Sequence, residues 1–394
     1  MKPCVAVLIF AIAAVACSQR ALQGVVPASS SAVASLSADS HSNFKTLLDF
    51  DGSYAGAGPG AGLIALPPNF YGTTTAGGLF GYGIVFRLTA DGKEKVLHSF
   101  HYDGYYSAAP LLRRGKTFYG TTAGGGSHSS GSVFSLDANG RENWVYDFKG
   151  APDGEAPYAG LVELGGTLFG TTEYGGSGGA CGNYTCGTVF QISTSGHERV
   201  IYSFQGGGDG ENPLDGLINL NGKLYGTAYG GRYKGGIVFS LTAAGKKTVI
   251  YNFRNTPSDG QEPNGLVALG GKLYGTTVFG GTENEGTVFS VSLAGKEQVL
   301  HSFGASSGLD GSNPQTALIA YNGQLYGTSS QGGVGRNGIV FEISTTGSLK
   351  VLHSFTGPDG SDPIGSLLEV GGKLYGTTFG GGNDDDGVVF ELTP

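Results

Sequence analysis

A nineteen-residue stretch, GKLYGTTVFGGTENEGTVF at 271–289, recurs along the chain with only its middle rewritten. Its core, Tyr-Gly-Thr-Thr or a near variant, begins at Tyr71, Tyr119, Phe169, Tyr225, Tyr274, Tyr326 and Tyr375, at spacings of 48, 50, 56, 49, 52 and 49 residues. A period near fifty, built from short β-type runs, constrains the fold more than any other feature. One such unit cannot bury both faces of its own sheet, so neighbours must stack. Stacking small sheets in a circle gives a propeller.

Three further markers also occur seven times. A Gly-x-Val-Phe run starts at Gly83, Gly131, Gly187, Gly236, Gly286, Gly338 and Gly387. A run ending in Phe closes at Phe50, Phe100, Phe148, Phe204, Phe253, Phe303 and Phe355. A small-apolar run, such as GLVEL at 160–164 or GLVAL at 265–269, precedes each core. Asn221-Gly222, Gly270-Gly271, Asn322-Gly323 and Gly371-Gly372 separate that run from the core, as two-residue hairpin turns do, because Asn and Gly accept positive φ.

The least bulky run suits the crowded innermost strand, a. The core is then b, Gly-x-Val-Phe is c, and the Phe-ending run is the outer strand d. The chain opens on a d run at 45–50 and ends on a c run at 387–392. The reading is an all-β, seven-bladed β-propeller of four-stranded antiparallel blades over 44–394, closed three-plus-one by an N-terminal outer strand. Such closure leaves no unfinished sheet edge to recruit another chain, and a monomer is expected. The b–c and d–a loops share one face and the tight turns share the other. Variable loops on a regular scaffold are where binding resides, so the loop face is the expected site.

Composition supports this shape and removes some function classes. The 74 glycines recur at fixed offsets beside 20 Tyr and 22 Phe, which supply the apolar area that disordered segments lack. The net charge is −8 and no Lys/Arg stripe exists, so neither nucleic acid nor an anionic membrane surface is an expected partner.

The first residues read as an address. Lys2 is followed by an apolar run at 5–16, too short to span a bilayer and suited to a signal sequence. Residues 1–17 are assigned as a signal peptide, and 18–43 as a flexible Ser/Ala-rich tether. Ala14-Val15-Ala16-Cys17 is both an A-x-A cleavage site and an approximate lipobox. Two fates stay open: lipidation of Cys17, which would be the sole membrane attachment, or simple secretion. Either places the protein outside the cytoplasm, where Cys181 and Cys186 are expected to pair as a local disulfide.

The repeated pattern L-Y-G-T-T-x-x-G-G, G-x-V-F, h-h-S-F and D-G-x-x-P resembles the GloVer tandem repeat of bacterial surface proteins described as choice-of-anchor. The resemblance covers 44–394 in seven copies. It implies export, a variable anchoring device and a propeller-like array, and no activity that transfers to a residue. Kelch-type propellers share the glycine pair after strand b, but their Trp and Arg positions are missing from these units.

Individual residues carry weaker signals. Asp153, Asp209, Asp259, Asp310 and Asp359 open an Asp-Gly-x-x-Pro segment, where a turn-capping role outweighs a ring of cation ligands. The acidic loops at 283–285 and 383–386 would suit Ca²⁺, yet neither matches a known calcium loop, so no metal and no cofactor are expected. His98, His301 and His353 hold the slot of Tyr146, Tyr202 and Tyr251 in other units and read as packing. Asn183-Tyr184-Thr185 fits a glycosylation acceptor.

The leading expectation is a non-catalytic exported propeller that binds a glycan, peptide or protein through the loop face. Tyr174, Tyr184, Tyr229, Arg232, Tyr233, Lys234, Phe279 and Arg336 are its candidate contacts. One alternative is a carbohydrate-active hydrolase or lyase using loop carboxylates such as Glu173, Glu283 and Asp385. Another is an architectural surface protein without a ligand.

Overall fold

The computed structural model describes residues 43–394, apart from Asp103, Asn183 and Ser306. The expected signal peptide, Cys17, residues 18–42 of the expected tether and the expected glycosylation acceptor Asn183 lie outside the described residues. Seven four-stranded antiparallel sheets follow one another: blade 1 at 64–99, blade 2 at 112–147, blade 3 at 162–203, blade 4 at 218–252, blade 5 at 260–302 and blade 6 at 319–354. Blade 7 comprises Leu368–Val370, Lys373–Thr378 and Val388–Leu392, and takes its outer strand, Phe44–Asp49, from the other end of the chain. Phe44 pairs with Leu392 and Asp49 with Val388, so the three-plus-one closure is present. Neighbouring a strands approach one another, as the innermost strands of a ring must.

The repeat letters have physical reasons. In every blade the Gly of Tyr-Gly-Thr-Thr is the cross-strand partner of the Phe of Gly-x-Val-Phe, as Gly120 is of Phe134 and Gly376 of Phe390. A Cβ on Gly120 would sit 2.4 Å from the Phe134 ring, so the glycine exists to seat the aromatic side chain. The glycine that starts each c run serves otherwise. Gly131 has φ +88, and a Cβ there would meet the Thr122 carbonyl at 2.4 Å and Pro157 Cδ at 2.6 Å. The same proline contact recurs at Gly187–Pro213, Gly236–Pro263, Gly286–Pro314, Gly338–Pro363 and Gly387–Pro59. The proline of each such loop therefore latches onto the preceding blade.

The core is seven layers between blades rather than one centre. Each buried cluster joins two neighbours, and one joins Leu47 and Phe50 of the first strand to Phe70, Ile84 and Phe86 of blade 1. The Phe closing each d run meets the c-run Phe of the next blade edge to face, at 5.0–5.4 Å, from Phe50–Phe86 round to Phe355–Phe390. Each such pair contributes about 0.5–1.5 kcal/mol beyond its buried area. The first Thr of the core ties blades directly: Thr121 donates to the Ala159 carbonyl at 3.1 Å, and Thr377 to that of Ala61 at 2.9 Å.

Candidate functional site

The b–c and d–a loops pair with one another in every blade, through bridges such as Ala57–Ala76, Tyr105–Gly124, Glu211–Tyr229 and Ser312–Gln331. In blades 3 and 5 the bridge extends to Glu155–Tyr174 and Gln261–Phe279. These loops thus form one face. The other ends of the strands are joined by tight turns.

The five Asp-Gly aspartates belong to the joints between blades. Asp153, Asp209, Asp259 and Asp359 accept backbone N–H groups from Lys149, Gln205, Arg254 and Thr356 at 2.7–3.1 Å, all upstream of the aspartate. They cap the end of strand d, and Asp259 also accepts the N–H of the following Gly260 at 2.8 Å. Each also takes a side chain from strand d: Tyr146, Tyr202 and Tyr251 hydroxyls donate to Asp153, Asp209 and Asp259 at 2.7–2.8 Å. His301 and His353 stand 3.0 and 2.9 Å from Asp310 and Asp359. The Tyr/His slot is therefore a hydrogen-bonding position as well as a packing one.

Every d–a loop then places one residue in the left-handed region, with φ between 48 and 60: Gly58, Tyr106, Ala156, Asn212, Glu262, Asn313 and Asp362. Six of these donate their N–H across a blade boundary, as Asn212 does to the Cys186 carbonyl at 2.9 Å. This ring of backbone surrounds the channel mouth, and its side chains differ sharply around the circle.

Between blades 2 and 5 the mouth is acidic and aromatic. Burial pushes the Glu173 carboxyl up to about 7, with the Tyr174 hydroxyl opposing and Glu155 adding to the rise. Burial also raises Asp215 to about 7, against one hydrogen bond from the Gly265 N–H. Asp215 is half-buried, at the bend that leads into the innermost strand of blade 4. Glu262 is raised by burial alone. Tyr229 faces all three of these carboxyls and is itself pushed far up, first by burial and then by their charge. Tyr158 is raised to about 12 by burial and by Glu173. The position of Glu173 and Tyr229 is held in blades 6, 7 and 1 by Ser330, Phe379 and Thr75, while the left-handed slot of blade 7 holds Asp362, an acid raised by burial and by Asp385.

The sequence-derived candidates divide. Tyr174 and Tyr184 stack at 4.6 Å, held by the Cys181–Cys186 disulfide and by the Thr185 hydroxyl, which accepts the Gly175 N–H at 2.7 Å. With Tyr229 they belong to the mouth. Arg232, Tyr233 and Lys234 are exposed at the tip of the blade 4 loop, where the Arg232 guanidinium lies 5.5 Å from the Tyr233 ring. Arg336 is exposed on the blade 6 loop, and Phe279 is half-buried in its bridge. Of the three carboxylates named as candidate acids, only Glu173 joins the mouth. Glu283 is exposed on the blade 5 loop, and Asp385 caps its own loop by accepting the Gly381 N–H at 2.8 Å. Asp215, Glu262, Tyr158 and the tyrosines of blades 1 and 2 were not singled out by sequence; the motif-breaking HYDGYYS at 101–107 is the signal that pointed to the latter. Among the described residues no group of three or more His, Cys, Asp and Glu is gathered as a metal ion requires.

The Gloeobacter/Verrucomicrobia repeat profile matches the chain over residues 27–232 and 221–394. The chain belongs to this repeat family. A search of curated proteins finds no match. Solved structures share the fold at low identity. A puromycin-hydrolysing peptidase of Mycobacterium tuberculosis superposes with a TM-score of 0.54 and 12% identity over 88% of this chain and 54% of its own. A puromycin hydrolase gives 0.53 and 12% over 82% and 53%. A putative 6-phosphogluconolactonase from Bacteroides uniformis gives 0.51 and 14% over 78% and 88%. This family member thus spans about half the length of the two hydrolases. At such identities the likeness is one of fold alone.

Proposed function

We propose that this chain is an exported, surface-associated propeller that binds a glycan, peptide or protein partner on its loop face, as a monomer and without catalysis. One observation carries the reading: seven blades share one scaffold, while Tyr158, Glu173, Tyr174, Asp215 and Tyr229 pool chemistry at one side of the channel mouth. A purely architectural array has no use for that asymmetry. Export is supported by the disulfide and by the resemblance to surface repeats.

Probing glycan and peptide arrays tests it. Tyr174→Ala with Tyr229→Ala should cut retention by about tenfold, while Lys272→Ala on the tight-turn face should not. Equal retention by all three proteins overturns the site. Palmitate labelling of wild type against Cys17→Ala decides the anchor, since unchanged labelling excludes a lipid there.

The second reading, a hydrolase or lyase, draws support from the two mouth carboxyls held near 7, where an acid–base pair is useful. Turnover of a glycoside or lactone panel that disappears in Asp215→Asn, with Tm unchanged, would favour it over binding alone.

A further inference from the structure

The loop joining blades 1 and 2 breaks the repeat. Where five loops read Asp-Gly-x-x-Pro, this one reads Asp103-Gly104-Tyr105-Tyr106-Ser107. Tyr106 holds the left-handed position, φ 60, that the other loops fill with Gly, Ala, Asn, Glu or Asp. A bulky aromatic residue is strained there, and such strain persists where it serves a purpose. Its ring is 40% exposed and meets Tyr158 edge to face at 5.8 Å. Tyr105 lies across Gly124, where a Cβ would come within 2.2 Å of the ring, so that glycine is the seat of the tyrosine.

The aromatic groups continue outward from there. Tyr82 is 5.7 Å from Tyr105 and 5.1 Å from Tyr102, which is 67% exposed. His101 lies 4.7 Å from Tyr102 and 4.6 Å from Phe80. An open groove beside His101 and Tyr102 is lined by Ser127, Trp144 and Asp147. Ring contacts thus run from Phe80 to Tyr105, and Tyr106, the next residue along the chain, carries the line on to Tyr158 beside the acidic mouth. No other sector of the described face carries such a run.

We propose that this aromatic track binds an uncharged glycan chain, whose sugar rings stack on Tyr82, Tyr102 and Tyr106 while its hydroxyls bond to the tyrosine hydroxyls and to Asp147. The proposal rests on the loop-face reading and names its ligand. Tyrosine offers a rigid flat surface with a polar tip at low entropic cost, matching a sugar's C–H face and its hydroxyls. The track holds no Lys or Arg to pair with an anionic polysaccharide, and the carboxylate of Asp147 lines its groove. An extended peptide adds as a strand to a free edge, and here the edge is occupied, since Tyr105 already bridges Gly124.

Affinity electrophoresis of the whole exported chain tests the track, in gels containing xyloglucan, mixed-linkage β-glucan, glucomannan, arabinoxylan, or polygalacturonate as the charged control. At least one neutral polymer should retard the wild type, and Tyr82→Ala with Tyr102→Ala should weaken that retardation by about tenfold, with Tm within about 2 °C of wild type. Oligosaccharides of the retarding polymer should shift the emission of Trp144, the single tryptophan, which borders the groove. Retardation by no polymer, or by polygalacturonate alone, overturns the proposal. So does binding of a labelled proline-rich decapeptide that the double variant abolishes while polysaccharides are ignored. Retention lost in Tyr174→Ala with Tyr229→Ala but kept in the track variant removes the track and leaves the loop-face reading standing. Loss in Lys272→Ala removes both.

Discussion

Glu198 and Glu297 on the outer joints and Glu173 and Asp215 at the channel mouth are all pushed to about 7 by burial. Their surroundings differ. Glu198 faces Asp153 across the Tyr146 hydroxyl, and Glu297 faces Asp259 across that of Tyr251. Two carboxyls on either side of one hydroxyl are stable only if one keeps its proton, and the joint closes around them. In the intervening joint Lys247 takes the glutamate's place and pairs with Asp209 at 2.8 Å, its side chain 3% exposed and its ammonium 4.7 Å from the Phe204 ring. At the mouth Asp215 is half-buried and has no opposing carboxyl or ammonium among the causes of its rise. A displaced acid therefore marks burial in both regions, and only the side open to the channel gives it a use.

The largest test of this contrast lies in the joints. Asp209→Ala strands a buried ammonium and should cost about 3–5 kcal/mol in denaturant unfolding. Asp153→Ala removes one of two opposed acids and should cost far less; equal losses would mean that the joints are not electrostatically distinct. Next in size, Cys186→Ser with Cys181→Ser should cost about 2 kcal/mol through loop closure and release Tyr184 from Tyr174, read as a Tm decrease and faster exchange of the insertion's amides. An unchanged Tm would show that the stacked tyrosines hold this edge of the mouth unaided.

Proton linkage gives the smaller effects. Because the folded state holds the Glu198 proton more tightly than the unfolded chain does, its contribution is complete below about pH 4.5 and declines as pH rises towards 7. Glu198→Gln should flatten that decline and add about 1 kcal/mol at pH 8, the partial solvation of this carboxyl keeping the figure low. Asp215→Asn should act in the same direction by about 0.5 kcal/mol or less if the half-buried carboxylate reaches solvent in the folded state. A gain exceeding that of Glu198→Gln in the same pH series would mean that the channel is dry at this level.

Much of the scaffold was legible because each repeat letter answers a steric need met seven times. Gly120 under Phe134, the hairpin glycines and the closing strand all leave periodic traces. The joints were less legible. The Tyr or His that holds each aspartate stands at varying separations, seven residues from Tyr146 to Asp153 and nine from His301 to Asp310, so no fixed spacing announces the pair. The mouth was the least legible part. Glu173 follows strand b, Glu262 precedes a proline and Asp215 leads into strand a, so three different repeat positions converge only in space. Tyr105 and Tyr106 escape a search for Asp-Gly-x-x-Pro because Ser107 replaces the proline.

Among the described residues Phe44–Asp49 has its ladder only with Val388–Leu392, and synthesis makes the one segment about 340 residues before the other. A nascent chain therefore carries that strand unmatched while all the blades between are made. Completion of the circle has to wait for Val388–Leu392, after the other blades already have their partners. Cutting the protein just before Val388 would orphan the first strand as surely as deleting it.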